Sequence, residues 1–458
     1  MNRSFSQPRT SVLIVAIAVV VAVTGQGCTS RPQTPTPFGT PSATESLSLA
    51  SEDAEAQLFA SERDISLADA KRRLGWQTLA PDLEQALQAE PFFGGVWIDR
   101  ADGDRVKVGV VGDITAETRD RVARAASQVG LTEGFAPVSV RFTQRDLDEA
   151  NEWIGKELER VNVGTEATMK VGERTDGNVI EVEVPADELL TSNQRNMLDE
   201  ARARFGARLH FSADSGPVVA QQCIYPFCDP PLRGGIKIFG PANCTGGFVV
   251  QSRSTARYYQ FTAGHCYWDN IVTTGVMNTG IFSTLYSDQT THDIGPIHNW
   301  MPIIKSPFGT FSDGDAAILE ILDPATWQPQ ARIEVTLNVP IFGKIVTVTI
   351  PDYYIKSDNY SQVGMFVCAS GAVTGRSSCG YVLWRGLTVT YTDGVTVHHL
   401  AKASYCSKGG DSGAPVFANH VAYGIHVSAP AKNPCLPSFQ GVRAAEDALN
   451  VDIMHLPV

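Results

Sequence analysis

The residues best suited to chemistry are a histidine and a serine in two widely separated motifs. His265 lies in the string Phe261-Thr262-Ala263-Gly264-His265-Cys266, and Ser412 lies in Gly409-Gly410-Asp411-Ser412-Gly413-Ala414-Pro415. A serine hydroxyl is a poor nucleophile unless a neighbouring base takes its proton, and the oxyanion of an acyl intermediate needs backbone N–H donors that a glycine-rich turn can aim at it. The two motifs therefore predict nucleophilic catalysis by Ser412 with His265 as the base.

An aspartate between these motifs could orient the imidazole. Asp315 opens the apolar run Ala316-Ala317-Ile318-Leu319, and Asp313 and Asp293 are the alternatives nearby. The resulting chain order is histidine, aspartate, serine. This is one of several orders that build the same catalytic constellation on unrelated folds.

Together, TAGHC, DAAIL and GGDSGAP resemble the chymotrypsin-like serine peptidases, and more closely their bacterial streptogrisin and alpha-lytic branch. The interval from Cys406 to Ser412 and the short loop from Cys368 to Cys379 are similar to that branch. The resemblance implies a serine endopeptidase made of two antiparallel six-stranded β-barrels with the active site between them. It selects Asp315 as the orienting aspartate and assigns the oxyanion hole to the N–H groups of Gly410 and Ser412.

Substrate preference is predicted from the string Tyr423-Gly424-Ile425-His426-Val427-Ser428. It resembles the wall of the specificity pocket in bacterial glutamyl endopeptidases, which implies that His426, Val427 and Ser428 bind substrate and that His426 receives an acidic P1 side chain. The alternative is that His426 only packs against the barrel.

The resemblance implies that Asp411, beside the nucleophile, is buried and pairs with a positive group. Relatives often have arginine after the first cysteine of the small loop, where this chain has Ala369. We therefore expect another cation, such as Arg376, to pair with Asp411.

Eight of the nine cysteines lie in the C-terminal half, as is typical of an exported, disulfide-bonded domain. A zinc site is disfavoured because no clustered pair of CxxC motifs occurs, and no cofactor is expected. The resemblance implies the pairs Cys244–Cys266, Cys368–Cys379 and Cys406–Cys435, and leaves Cys223 to pair with Cys228.

Residues 1–28 are predicted to be an export signal, because a positive start precedes an uncharged apolar run that is too short for a comfortable membrane span. Cys28 directly follows this run. It is either the lipidated first residue of a bacterial lipoprotein or an incidental cysteine after an ordinary signal. The protein is accordingly expected to be secreted, or anchored on the outer face of a bacterial membrane through a lipid on Cys28.

Residues 29–48, rich in proline, threonine and serine, are predicted to be a linker, and residues 49–215 an α+β region. Periodicity predicts helix over 51–88 with breaks near Gly75 and Pro81, helices at 115–129, 143–161 and 185–205, and strands over 92–111 and 179–184. Gly94 to Asp99 and Val106 to Val111 resemble the pro-region of streptogrisin and alpha-lytic precursors, which assists folding and inhibits until it is cut away. Cleavage is predicted between Phe211 and Gln222.

Residues 216–458 are predicted to be the catalytic domain, since charged residues thin out and short alternating runs of valine, threonine and tyrosine are typical of an all-β unit. A closing helix is expected over 442–449.

The formal net charge of −12, without a basic patch, disfavours nucleic acid as a partner. Polypeptide substrates and the chain's own pro-region are the expected partners of a monomer. The competing function is a surface-anchored binding protein that kept the fold with little or no catalysis.

Overall fold

The N-terminal half of the chain alternates helices and strands in two passes. The structure, a computed structural model, describes residues 53–165, 167–214, 218–219, 229–267, 280–306, 309–341 and 344–456. The helices of this half are α1 Ala54–Arg63, α2 Leu67–Leu87, α3 Ala116–Gln128, α4 Gln144–Val161 and α5 Ser192–Phe205. Its strands are β1 Phe93–Asp99, β2 Arg105–Val111, β3 Phe135–Val140, β4 Lys170–Arg174, β5 Val179–Val184 and β6 Leu209–Ala213.

The predicted breaks at Gly75 and Pro81 are wrong, because α2 runs through both positions. The proline costs the helix one hydrogen bond, but Leu74 and Leu83 of the same helix are almost completely buried. Packing of that face outweighs the local penalty. The chain turns instead at Asp64, which has a left-handed φ of 52° and separates α1 from α2.

Capping residues decide where the later helices begin. A capping box at Thr143 and Asp146 starts α4, close to the predicted position. A second box at Thr191 and Gln194 starts α5 at Ser192 rather than at the predicted Pro185. The reciprocal hydrogen bonds of the box fix the helix start more strongly than the proline does.

The C-terminal half is mostly β-structure, as predicted. Its strands are β7 Val218–Val219, β8 Ile236–Phe239, β9 Asn243–Gly246, β10 Val249–Ser252, β11 Tyr258–Thr262, β12 Ile281–Leu285, β13 Thr291–Trp300, β14 Ile303–Ser306, β15 Gly309–Ser312, β16 Ala317–Glu320, β17 Arg332–Ile341, β18 Lys344–Tyr354, β19 Ser357–Asp358, β20 Phe366–Gly371, β21 Arg376–Thr390, β22 Val395–Ala403, β23 Pro415–Ala418, β24 Val421–Pro430, β25 Ser438–Gly441 and β26 Val451–Ile453. The short helix α6 Pro324–Trp327 and the closing helix α7 Val442–Leu449 accompany them.

These strands form two large sheets. An eight-stranded sheet has the order β26-β10-β11-β16-β13-β12-β8-β9, and a 13-stranded sheet contains β20 to β25 together with β4, β5 and β6 of the N-terminal half. The predicted division into two six-stranded barrels stays a prediction. The structure confirms the β-rich character of this half.

The two halves are joined through strand β21, which pairs antiparallel with β4 (Arg385 with Glu173, Thr388 with Val171). Buried side chains from both halves share one core: Phe59 of α1 packs on Phe366 of β20 at 5.1 Å between ring centroids. Gly155 of α4 lies so close to β21 that a β-carbon there would be 3.1 Å from the Thr388 hydroxyl. The N-terminal half therefore completes the sheet and the core of the C-terminal half.

Charged pairs cross the same interface. Arg385 binds both carboxylate oxygens of Glu84, at 2.6 and 2.8 Å, and Lys402 binds Glu183, with little exposure of either pair. Fork-to-fork pairing of this kind carries geometric specificity as well as energy. The contact between the halves is consequently specific as well as apolar.

Three of the predicted disulfides are confirmed: Cys244–Cys266, Cys368–Cys379 and Cys406–Cys435. Cys223, Cys228 and Cys28 lie outside the described residues, as do the predicted export signal and linker. Within the described ranges, no helix is long and apolar enough to cross a membrane.

Candidate active site

Two neighbouring strands bring His265 and Asp315 together. Strands β11 and β16 are antiparallel, with Thr262 opposite Ala317 at the end of the ladder. His265 lies three residues after β11, and Asp315 lies two residues before β16, so both belong to the same edge of the sheet. The antiparallel pairing of these two strands therefore brings together His265 and Asp315, which are 50 residues apart in the sequence.

The turn that carries Ser412 is held against the same edge. The N–H of Thr245 donates to the Ser412 carbonyl at 2.7 Å, and the Thr245 hydroxyl donates to the Gly410 carbonyl at 2.8 Å. Gly413 has a φ of +96°, and a β-carbon there would overlap the Thr245 carbonyl, so only glycine fits. Because Thr245 follows Cys244, the Cys244–Cys266 disulfide ties this strand to the turn that carries His265.

The three predicted side chains form one line of hydrogen bonds. Asp315 Oδ2 lies 2.7 Å from His265 Nδ1, and His265 Nε2 lies 2.8 Å from Ser412 Oγ. The backbone N–H of His265 also donates to Asp315 Oδ1 at 2.9 Å. All three residues are almost completely buried. This arrangement can pass the hydroxyl proton of Ser412 to an imidazole whose other nitrogen is held by a carboxylate.

The two alternative aspartates lie elsewhere. Asp293 accepts a hydrogen bond from Ser283 at 2.7 Å on β13. The backbone carbonyl of Asp313 lies 3.4 Å from Nδ1 of His399 on β22. Asp315 is thus the aspartate that contacts His265.

Asp315 is fully buried, which opposes its ionisation, but the charge that His265 can carry and hydrogen bonds from His265 and Tyr391 outweigh burial. They hold the pKa of Asp315 below its ordinary value. Tyr391 Oη donates to Asp315 Oδ2 at 2.7 Å, while burial and the charge of Asp315 raise the pKa of Tyr391 far above its ordinary value. Asp315 is therefore an ionised acceptor and Tyr391 a neutral donor. No sequence signal identified Tyr391, which lies 76 residues from Asp315 along the chain.

His426 lies on β24, where its carbonyl accepts from the N–H of Gly413 at 2.7 Å, and it is completely buried. Burial lowers its pKa to about 4, so the imidazole is neutral around pH 7. Its Nδ1 lies 3.0 Å from the hydroxyl of Tyr405, and its Nε2 has no hydrogen-bond partner among the described residues. Burial also holds the pKa of Tyr405 well above its ordinary value, which keeps that hydroxyl protonated and able to donate.

The other two predicted substrate-binding residues flank His426. The carbonyl of Val427 lies 3.3 Å from Ser412 Oγ, and the hydroxyl of Ser428 lies 2.5 Å from that of Ser438. Further along the same strand, Ala429 and Pro430 pair antiparallel with Val219 and Val218. The chain that leaves the N-terminal half therefore runs along the strand beside Ser412.

The prediction that a cation such as Arg376 pairs with Asp411 is wrong: among the described residues, no lysine or arginine forms an ion pair with it. Its carboxylate accepts instead from the backbone N–H groups of Val373, Thr374 and Lys408 at 2.7 to 2.9 Å, and from the Thr374 hydroxyl. Several N–H groups converging on one carboxylate supply the positive potential that a cation would otherwise bring. Gly371 makes room for this, since a β-carbon there would overlap the Asp411 carboxylate.

The described residues contain no cluster of three or more histidine, cysteine, aspartate or glutamate side chains that could hold a metal ion.

No family model matches the chain. Serine protease 1 from Rarobacter faecitabidus is 26% identical over 371 residues, which cover 79% of this chain and 56% of the relative. Glutamyl endopeptidase 2 from Streptomyces griseus is 42% identical over 72 residues, which cover 16% of this chain and 37% of the relative.

A solved structure described as a glutamic acid specific serine protease that utilizes a novel histidine triad in substrate binding is 25% identical. It covers 49% of this chain and 100% of its own, with a TM-score of 0.35. The chain spans about half the length of the Rarobacter relative and less of the Streptomyces one. The predicted resemblance to bacterial chymotrypsin-like serine peptidases is confirmed by the named relatives from Rarobacter and Streptomyces.

Proposed function

We propose that this protein is an exported serine endopeptidase. The observation that carries the proposal is the unbroken line of hydrogen bonds from Asp315 through His265 to Ser412. Ser412 Oγ attacks the peptide carbonyl while its proton moves to His265 Nε2, and Asp315 stabilises the imidazolium that results. The N–H groups of Gly410 and Ser412 stabilise the oxyanion. His265 returns the proton to the leaving amine, and water then hydrolyses the acyl-enzyme.

Labelling with a fluorophosphonate tests this proposal. The processed wild-type protein should be modified at Ser412, and both Ser412→Ala and His265→Ala should abolish labelling. His298→Ala is the matched control, because His298 is half-exposed and lies beside Glu320 rather than in the line of hydrogen bonds. Absence of labelling in the folded wild type would favour the competing binding function, which the serine protease names of the relatives do not support.

The acidic P1 preference rests on His426. When Tyr405 donates to Nδ1, the neutral imidazole carries its proton on Nε2, a buried donor without a partner among the described residues. A P1 carboxylate would satisfy this donor with a charge-assisted hydrogen bond. The similarity to a glutamyl endopeptidase over a short part of the chain supports the same preference.

Paired substrates that differ only in Glu or Gln at P1 test this preference. Wild type should favour Glu by about tenfold or more, the worth of a hydrogen bond to a charged group. His426→Ala should abolish this ratio while leaving turnover after small apolar residues nearly intact, and His298→Ala should change neither. An equal loss on every substrate would assign His426 a packing role.

The N-terminal half, residues 49–215, is proposed to act as a pro-region that assists folding and then inhibits. Three contacts support this: the β4–β21 pairing, the shared apolar core and the buried ion pairs of Arg385 and Lys402. The Rarobacter match is longer than the whole β-rich half, so the similarity also reaches into this region. A β-protein with many non-local contacts folds slowly and gains from such a template.

Expression of residues 217–458 alone should give aggregation-prone, poorly active protein. Addition of residues 49–210 in trans should restore active enzyme during refolding and inhibit it afterwards. Efficient refolding without the added half would remove the folding role.

We also propose that the chain is exported and that a lipid on Cys28 anchors the precursor to the membrane. Labelled fatty acid should enter the wild-type precursor and not Cys28→Ala, and the label should leave with residues 49–215 when the chain is processed. A chain with a free thiol at Cys28 would point to an ordinary signal.

A further inference from the structure

Tyr391 directly follows the last residue of strand β21, Thr390. Its backbone N–H donates to the Val395 carbonyl at 2.8 Å, and its carbonyl accepts from Gly394 at 2.9 Å, so a tight turn fixes its position. Its ring is 3% exposed and meets the His265 imidazole edge-on, at 6.0 Å between centroids and 87° between planes. The side chain thus contacts two of the three residues in the proposed catalytic line.

The phenol completes the set of donors around the Asp315 carboxylate. Oδ1 accepts from the His265 backbone N–H at 2.9 Å, and Oδ2 accepts from both His265 Nδ1 and Tyr391 Oη at 2.7 Å. Gln440 holds the Asp315 backbone from the other side, since its Oε1 accepts from the Asp315 N–H at 3.0 Å. Among these donors to the Asp315 carboxylate, Tyr391 is the one that does not belong to His265.

We infer that Tyr391 is a positioning residue that orients the Asp315 carboxylate and, through it, the imidazole of His265. This inference rests on the proposed peptidase function. With the phenol in place, the Oδ2 lone pairs have fixed directions, and one of them meets Nδ1–H of His265. That leaves the Nε2 lone pair aimed at Ser412 Oγ, as a general base requires.

Loss of the hydroxyl should affect turnover more than substrate binding. In Tyr391→Phe a buried carboxylate loses one of its hydrogen bonds, which we expect to lower kcat by about 10- to 100-fold with KM changed less than about twofold. Because less of the Asp315 charge is then shared with the phenol, more of it stabilises the imidazolium. The acid limb of the pH profile of kcat/KM should therefore move to higher pH.

The matched control is Tyr259→Phe, which removes a hydroxyl from another tyrosine that is 3% exposed, on β11. Rates are divided by the number of sites that a fluorophosphonate labels, so that misfolded protein does not count. Unchanged kcat and pH profile in Tyr391→Phe, with an active and labelled wild type, would overturn the inference and leave the peptidase function standing. A lower kcat with an unmoved pH profile would mean a packing role and would also overturn it.

A second variant covers the case in which Tyr391→Phe does not fold. Site-specific 3-fluorotyrosine at position 391 keeps the shape of the ring and makes the phenol a stronger donor. The acid limb should then move to lower pH, opposite to the effect of phenylalanine. An unmoved limb in this variant would equally overturn the inference, whereas an unlabelled wild type would contradict the peptidase function itself.

Discussion

Glu55 is a carboxylate buried at the contact between the two halves, and its titration should make that contact sensitive to pH. It lies on α1 and is 6% exposed. Oε2 accepts from the Tyr353 hydroxyl at 2.8 Å, and both oxygens accept from the Asn419 N–H at 2.9 Å. These donors offset only part of the cost of burying a charge, so burial raises the pKa of Glu55 to about 7.

The shift from 4.5 to about 7 has a definite sign and size. The folded protein binds this proton more tightly than the unfolded chain, so the stabilisation is complete below pH 4.5 and is lost as the pH rises through about 7. At one pKa unit per 1.36 kcal/mol, the ionised Glu55 costs about 3 kcal/mol at pH 8. Glu55→Gln keeps the shape and cannot ionise. It should therefore unfold at a higher temperature than the parent at pH 8, with the difference vanishing near pH 4.5.

Thermal unfolding of the full chain from pH 4.5 to 8.5 measures this difference, in a Ser412→Ala background that prevents processing. The gap at pH 8 should be about 2 °C or more. Asp148, with a pKa raised to about 6, and His398, with a pKa lowered to about 4, titrate in both proteins and cancel in the comparison. Glu117→Gln, on the exposed surface of α3, is the control and should give no pH-dependent gap. Parallel curves for Glu55→Gln and its parent would refute the reasoning.

Two substitutions and one sequencing measurement test the contacts around the site. Gly371→Ala should lower the unfolding temperature and the fraction of labelled enzyme, because its β-carbon would overlap the Asp411 carboxylate; normal stability would contradict that packing. In residues 49–210 added in trans, Glu84→Gln should weaken inhibition by about 10- to 100-fold through loss of the bidentate pair with Arg385, measured as an inhibition constant. N-terminal sequencing of the mature enzyme should find its first residue within about three positions after Val219, since β7 runs antiparallel to β24 toward the carbonyl beside Ser412; a start before Val218 would contradict this register.

The sequence predicted the motifs of the site well because short strings specify tight turns. The turn at Ser412 needs glycine at 413, and the disulfide at Cys266 fixes the turn at His265, so both are visible in a few letters. The pairing of β11 with β16, two apolar runs, then accounts for Asp315. Each of these features depends on a short local segment or on the pairing of a single pair of strands.

Features that depend on long-range packing could not be predicted. Tyr391 directly follows an ordinary strand, and nothing near it in the sequence indicates that its hydroxyl reaches Asp315. The donors to Asp411 are mostly backbone N–H groups, which leave no residue-type signal, so a cation was expected instead. Helix α2 continues through Pro81 because tertiary burial outweighs a local rule.

If the N-terminal half is cut away, as proposed, the exposed edge of strand β21 affects the solubility of the remaining protein. Loss of β4 would leave the backbone of 385–388 as an open sheet edge, the kind of surface along which copies of a protein self-associate. Two features of this edge oppose that. The ladder is irregular between Arg385 and Thr388, where Gly386 has a φ of +56°, and Arg385 would lose the carboxylate of Glu84. A kinked edge with an unneutralised guanidinium repels a second copy. The arginine that pairs with the proposed pro-region would then also keep the processed enzyme from self-associating.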